Sequence, residues 1–297
     1  MLLVKLPTIL YIFKKTRVEF FCTLVIAIIA SIITYRIDSG LPSMPINVPA
    51  FLGTAIAVLL SFKLGQSYDR WWEARKIWGT IVNESRSFTL QLQSFITPGN
   101  EQVIRQLALR QIAWCYSLGQ SLRGLDPLEN LKKYISEDDI KKISTQNNKP
   151  LAILQLNTLQ IADLKNNGKI DIRSHIYIST TLANFSTAMG MAERIKSTVF
   201  PVPYRVFLHL MIYLFVITLS ISLGVVKPVY EIPLLFIISS GFFVLEKTAT
   251  LLQDPFENKP ADTPMTTIAT NIEINIRQLL KETEIPQPLK PHSFYSL

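Results

Sequence analysis

The chain has 297 residues, 48% of them hydrophobic and 18% charged, with a formal net charge of +8. A soluble domain of this size carries about 25% charged residues, so the balance excludes an ordinary water-soluble globular protein. No basic run exceeds Lys14-Lys15 or Lys141-Lys142, which argues against a nucleic-acid partner and for cations placed at a membrane surface.

The start, MLLVKLPTILYIFKK, lacks the charged n-region and small-residue cleavage site of a signal peptide. It reads as an interfacial segment with Lys14, Lys15 and Arg17 at headgroup level. Four stretches nearly free of charge follow along the chain: residues 20–35, 46–62, 206–226 and 229–245. A spanning helix needs about 17–25 apolar residues. The third stretch meets this directly, and the other three are short, as in spans that snorkel or are sheltered by an assembly. The prediction is an all-α integral membrane protein with four transmembrane helices. Lys and Arg are sparse in the two short loops and abundant in the N-terminal segment and in residues 63–205. By the positive-inside tendency, both termini and the regions 63–205 and 246–297 are expected in the cytoplasm, at the plasma or inner membrane, as a helical bundle.

No proline interrupts residues 50–97, so the second span is predicted to continue into the cytosolic region as one helix of about 70 Å, with Gly53 or Gly65 as points for a kink. Leu107–Leu122 reads as a further helix, and Ser136-Glu-Asp-Asp139 as a helix start with a capping hydroxyl and acids in the first turn. Gln146–Pro150 and Lys165–Lys169 read as loops, and Asp171–Thr198 as an unbroken helix. After the fourth span, Thr263-Pro264 is predicted to be an N-cap followed by proline at N1. Ile268, Ile272, Ile276 and Leu280 then share one face, which should dock on the bundle.

Catalysis needs converging acids, bases or metal ligands. His175, His209 and His292 lie far apart, no nucleophile–base or paired-carboxylate pattern stands out, and neither an enzymatic activity nor a cofactor nor a metal site is expected. Cys22 and Cys115 suggest no disulfide. His209, inside the third span, is either a functional intramembrane group or a neutral imidazole bonded to a neighbouring helix. In the second span, Thr54, Val58 and Phe62 recur at i, i+4 and i+8, among the small residues Gly53, Ala55, Ala57 and Ser61. Spacing alone leaves two readings open: a helix-packing stripe, or the apolar lining of a constriction in a ring of subunits. The following Asp69, Arg70, Glu73, Arg75, Glu84 and Arg86 read as a salt-bridge face. Trp71, Trp72 and Trp78 suit an interfacial belt as well as buried anchors.

Three blocks carry a family resemblance: Ser67–Arg86 (SYDRWWEARKIWGTIVNESR), Met191–His209 (MAERIKSTVFPVPYRVFLH), and Asp254-Pro-Phe256 followed by Asp262. Across nearly the whole chain the sequence resembles the bestrophin ion channels, and their prokaryotic and plant-organelle branch more than the animal one. The resemblance implies a homopentamer around one pore that passes small monovalent ions through the bilayer. It puts a hydrophobic neck at Thr54, Val58 and Phe62, with Thr54 departing from the usual bulky apolar residue and making the outer ring wider or wetter. It puts a second constriction at the cytosolic exit at Ile172, with Ile176 as the alternative. Animal relatives hold calcium on an acidic run after the fourth span. Here that stretch is Glu257–Asp262, with two separated carboxylates and a lysine, which is poor in the oxygen ligands calcium takes. Lys63 and Arg70 favour anions, chloride foremost, if they face the pore, whereas Asp171 would ring the exit with carboxylates and favour cations. These signs oppose each other, and the resemblance to a family whose best-known members conduct chloride and other small anions makes an anion channel the expected function. The alternatives are a monovalent-cation channel of the same fold and a non-conducting membrane-anchored scaffold. A secondary transporter would need internal repeats and interrupted helices, which the chain lacks.

Overall fold

The computed structural model describes residues 9–36, 44–198, 201–223 and 226–290. The first eight residues of the N-terminal segment, most of the first short loop, residues 224–225 of the third expected span, and His292 lie outside the described residues. The elements are α1 (Ile9–Arg36), α2 (Asn47–Phe95), α3 (Glu101–Arg123), a 3₁₀ turn (Leu131–Lys133), α4 (Glu137–Ser144), α5 (Lys149–Asn166), α6 (Ile172–Ser197), α7 (Val202–Ser222), α8 (Pro228–Gln253) and α9 (Met265–Leu279). Among the described residues the fold is all-helical. α1, α2, α7 and α8 are each long and apolar enough to cross a membrane. α2 runs unbroken through Gly53 and Gly65.

The chain divides into two compact units. The membrane-spanning unit comprises α1, α2 as far as Trp71, α7 and α8. Its core includes Ile56 and Leu60 of α2, Leu208, Ile212 and Val216 of α7, and Leu235 and Phe243 of α8. Gly53 eases the packing here: a Cβ at that position would stand 3.1 Å from the Phe215 ring of α7, a tight contact that the ring would have to yield to. The Tyr204 hydroxyl donates to the Leu59 carbonyl (2.8 Å). α1 and α8 run antiparallel. Ser31 Oγ donates to Glu231 Oε2 at one end (2.7 Å), and Lys247 pairs with Glu19 at the other (3.4 Å).

The second unit holds α2 from Trp72 onward, α3–α6 and α9. The interior face of α2 is formed by Trp78, Ile81, Phe88 and Leu92, all fully buried. Trp78 is therefore a core anchor, while Trp72 is 47% exposed. Trp114 of α3 and Phe88 of α2 both pack on Phe185 of α6, with ring centroids 5.1 and 6.0 Å away. Ser136 caps α4, accepting from Asp139 N, as its sequence predicts. Ile268, Ile272 and Ile276 bury the inner face of α9, with Leu280 packed against the same core.

Two expectations change. α5 has no counterpart in the sequence reading, which took Gln146–Pro150 as a loop and left the following stretch unassigned. Asn148 accepts from Leu151 N (3.0 Å) as N-cap, and Pro150 sits in the first turn, where its missing N–H costs nothing. Exposed Leu151 and Leu159, and the buried polar Asn157, blur the apolar period that would mark α5 in the sequence. At α9 the cap position belongs to Pro264 with no side-chain cap, and the Thr263 hydroxyl is buried without a hydrogen bond. The expected Thr263 cap does not form.

Candidate functional site

In an α-helix, residues four apart lie one above the other. On α2 this puts Thr54, Val58 and Phe62 in one row, and the row is exposed: Val58 is 50% and Phe62 66% accessible. The Thr54 hydroxyl donates to the Ala50 carbonyl of its own helix (2.9 Å), so its methyl dominates what the row presents there. The opposite face, Ile56, Leu60 and Lys63, is buried.

Lys63 follows Phe62 directly but turns about 100° around the helix, into the interior of the spanning unit. It is 1% exposed, and its Nζ donates to Glu246 Oε1 (2.6 Å) and Thr250 Oγ1 (3.0 Å) of α8. His209 Nε2 of α7 stands 3.4 Å from the other oxygen of Glu246, with its ring edge-on to Phe243 at 5.4 Å. The condition for Lys63 to act on a passing ion, that it face a pore, is unmet within the chain's own fold. Arg70 donates from Nε to the Gln253 carbonyl (2.9 Å), and its Nη2 lies 3.8 Å from Asp254 Oδ1. Its guanidinium is thus engaged at the end of α8. Two carboxylates in this unit escaped the sequence reading. Glu246 lies just beyond the fourth charge-poor stretch, and Glu231 lies within it. Both are 2% exposed, and Glu231 accepts from Ser31 and Ser220. A signal existed: an acid in an apolar helix needs a partner, and Lys63 and His209 offered it.

In the second unit, Asp171 is the N-cap of α6. Its Oδ1 accepts from Arg173 N (2.8 Å) and Ser174 N (3.1 Å), and its Oδ2 from Ser174 Oγ (2.5 Å). These bonds, that of the Ser174 hydroxyl foremost, hold its carboxyl below the usual range. Ile172 (67% exposed), Ile176 (57%) and Tyr177 (62%) extend from the same end of α6. Within the stretch 257–262 the contacts are partly internal, and Asp262 Oδ1 is buried without a hydrogen bond. Glu257 pairs with Lys259, and Asp262 Oδ2 accepts from Lys259 N (3.0 Å). Burial pushes the Asp262 carboxyl up. Of the expected salt-bridge face, Glu73 pairs with Arg194 (3.2 Å), whereas Arg86 donates to the neutral Asn275 (3.0 Å). Among the described residues, no group of three or more His, Cys, Asp or Glu side chains is placed to hold a metal ion.

A family model described as Bacterial/Fungal Bestrophin protein matches residues 4–278. The chain belongs to the bestrophin family. Its relatives include the voltage-dependent anion channel-forming protein YneE of Escherichia coli (strain K12), 32% identical over 249 residues, covering 84% of this chain and 81% of YneE. Another is the voltage-dependent anion channel-forming protein RSc3414 of Ralstonia nicotianae, 26% identical and covering 92% and 89% of the two chains. Among solved structures, a bacterial bestrophin homolog from Klebsiella pneumoniae superposes with a TM-score of 0.82 at 27% identity, over 89% of this chain and 98% of that one. The bestrophin fold of this chain is thereby established along nearly its full described length.

Proposed function

We propose that this bestrophin is a channel that passes small anions, chloride foremost, through a pore at the axis of a homopentamer in the plasma or inner membrane, with both termini in the cytoplasm. The observation that carries the reading is the Thr54–Val58–Phe62 row. A membrane-crossing helix presents an apolar, ring-bearing face that its own subunit leaves uncovered, and relatives of the chain are named as anion channel-forming proteins. One subunit has too little polar intramembrane surface to enclose a water-filled path, so copies arranged around an axis supply the walls. The row then forms a neck that resists ions by dewetting, widest at Thr54 and narrowest at Phe62. Ile172, with Ile176 as the alternative, narrows the cytosolic exit.

The fixed charges divide by role. Lys63 acts by position, holding α2 to α8 so that its neighbour Phe62 faces the axis. Arg70 is the next cation along α2 after the buried Lys63 and contributes positive potential to entering anions, softened by Asp254. Asp171 contributes the opposite sign at the exit, and a cation-selective channel of the same fold is the competing reading if that ring dominates. The reversal potential in planar bilayers under a KCl gradient tests this. A shift to the chloride equilibrium potential supports the anion channel. A shift to the potassium potential replaces it with the cation channel, and silence under all voltages leaves a non-conducting scaffold.

A further inference from the structure

An exposed side of the spanning unit holds a feature that the proposed pore does not use. Between α1 and α8 lies an apolar groove of about 630 Å³, within the size range of ligand sites. It is lined by Phe20 of α1 and by Phe236, Ile237, Gly241, Val244 and Leu245 of α8. Phe20 closes one wall by packing edge-on against Phe236, with centroids 5.7 Å apart. Gly241 forms the depression. A Cβ at that position would meet nothing within 4 Å, so the glycine is not demanded by close helix approach. Ile237, Gly241 and Leu245 recur at i, i+4 and i+8 and are all exposed, which makes the groove a channel along α8 rather than a pit.

The antiparallel register of α1 and α8 decides what the groove ends on. The Ser31–Glu231 bond sets residue 31 beside 231, so each step down α1 is a step up α8. The Lys247–Glu19 pair shifts this register by four residues at the other end, so Leu245 is level with the stretch from Arg17 to Phe21. Lys14 and Arg17 are both exposed. Arg17 lies one i+3 step from Phe20 and Lys14 one such step beyond Arg17, and neither has an acidic partner among the described residues. The nearby Lys247 is committed to Glu19 (3.4 Å). The arrangement is an apolar trough capped at one end by two free cations.

We propose that this trough binds one anionic glycerophospholipid, with an acyl chain lying over Gly241 and the phosphate held by Arg17 and Lys14. A fatty chain matches the almost wholly apolar lining. An anionic headgroup matches the cations, which sit at the end of α1 that the positive-inside tendency assigns to the cytoplasmic leaflet, where anionic lipids attract basic side chains. The inference rests on the membrane-spanning unit alone and is independent of which ion is conducted.

Native mass spectrometry of the full chain, equilibrated with equal dioleoylphosphatidylglycerol and dioleoylphosphatidylcholine, tests it. Preferential retention of phosphatidylglycerol is expected. Arg17→Gln should lower that retention about fivefold without changing phosphatidylcholine, the effect of one basic residue at an anionic surface. Gly241→Leu fills the trough in open space and should reduce retention of both lipids while leaving the melting temperature intact. Equal retention of the two lipids, or full retention by Gly241→Leu, would overturn the proposal. Displacement of the lipid by millimolar inorganic phosphate would also do so, since the acyl chain would then contribute nothing. A disulfide between two copies of Gly241→Cys would equally refute it, by showing that a second subunit covers the groove.

Discussion

Removing Glu246 is the sharpest perturbation of the spanning unit. Glu246→Gln keeps the side chain's volume but takes the charge from a carboxylate 2% exposed, leaving the Lys63 ammonium, itself 1% exposed, without its anion. Breaking a buried pair from one side costs about 3–5 kcal/mol, because the surviving charge stays desolvated. Thr250 remains as a second acceptor 3.0 Å from Nζ, so the lower part of that range applies. For a chain of this size, each kcal/mol moves the melting temperature by about 2–4 °C, giving an expected fall of about 6–12 °C. Differential scanning fluorimetry of the detergent-purified protein measures it. Lys63→Met paired with Glu246→Leu should recover most of the loss, since an apolar pair of similar volume is often as stable as the buried ion pair it replaces. If Lys63 faced a water-filled pore instead, Lys63→Met alone would leave the melting temperature within about 1 °C and change ion selectivity. That result would refute the reasoning.

Phe62→Ala should widen the narrowest ring and raise single-channel conductance in planar bilayers without a matching loss of stability, because Phe62 is 66% exposed in the subunit. Gly53→Leu should cost about 1–3 kcal/mol by overpacking against Phe215, read as a lower melting temperature. Cys115 is fully buried beside Ser85 and Gln111, and burial pushes its thiol up to about 12. It should resist iodoacetamide at pH 8 in the folded protein and react once the chain is denatured, as peptide mass spectrometry would record. Asp171 titrates below its ordinary range in the fold, so its contribution to stability is complete above the ordinary carboxylate pKa of about 4. That contribution is lost as the pH falls through the lowered value. Asp171→Asn should therefore flatten the acid limb of a melting-temperature profile between pH 6 and pH 3.

Much of the architecture was legible because membranes and helices impose simple counts. Four charge-poor stretches gave four helices able to span, and the proline-free run gave α2. The i+4 rows gave the buried face of α9 and the exposed Thr54–Val58–Phe62 face. α5 was illegible for the opposite reason. Its buried positions Pro150, Ile153, Leu154, Asn157, Ile161 and Leu164 keep helical spacing, but the polar Asn157 among them and the exposed Leu151 and Leu159 blur the apolar period, and the proline that reads as a breaker is instead a good first-turn residue. The direction of Lys63 was also hidden. One position separates it from an exposed phenylalanine, and only the partner on α8, remote in sequence, decides which side of the helix it takes. Arg70 illustrates the same limit, since its Nε answers a backbone carbonyl, which no residue type reveals.

The Lys63–Glu246 pair also sets an order on biosynthesis. The two residues are 183 positions apart. At about 5–20 residues per second of translation, the ribosome needs roughly 10–40 s after making Lys63 before it supplies the anion. During that interval α2 carries an ammonium with no counter-ion at the edge of its apolar stretch, and it has to lean toward the headgroups to keep it hydrated. α2 therefore reaches its final depth and rotation only after α8 has left the ribosome. A nascent chain stalled before Glu246 would hold its second helix in a different setting from the finished protein.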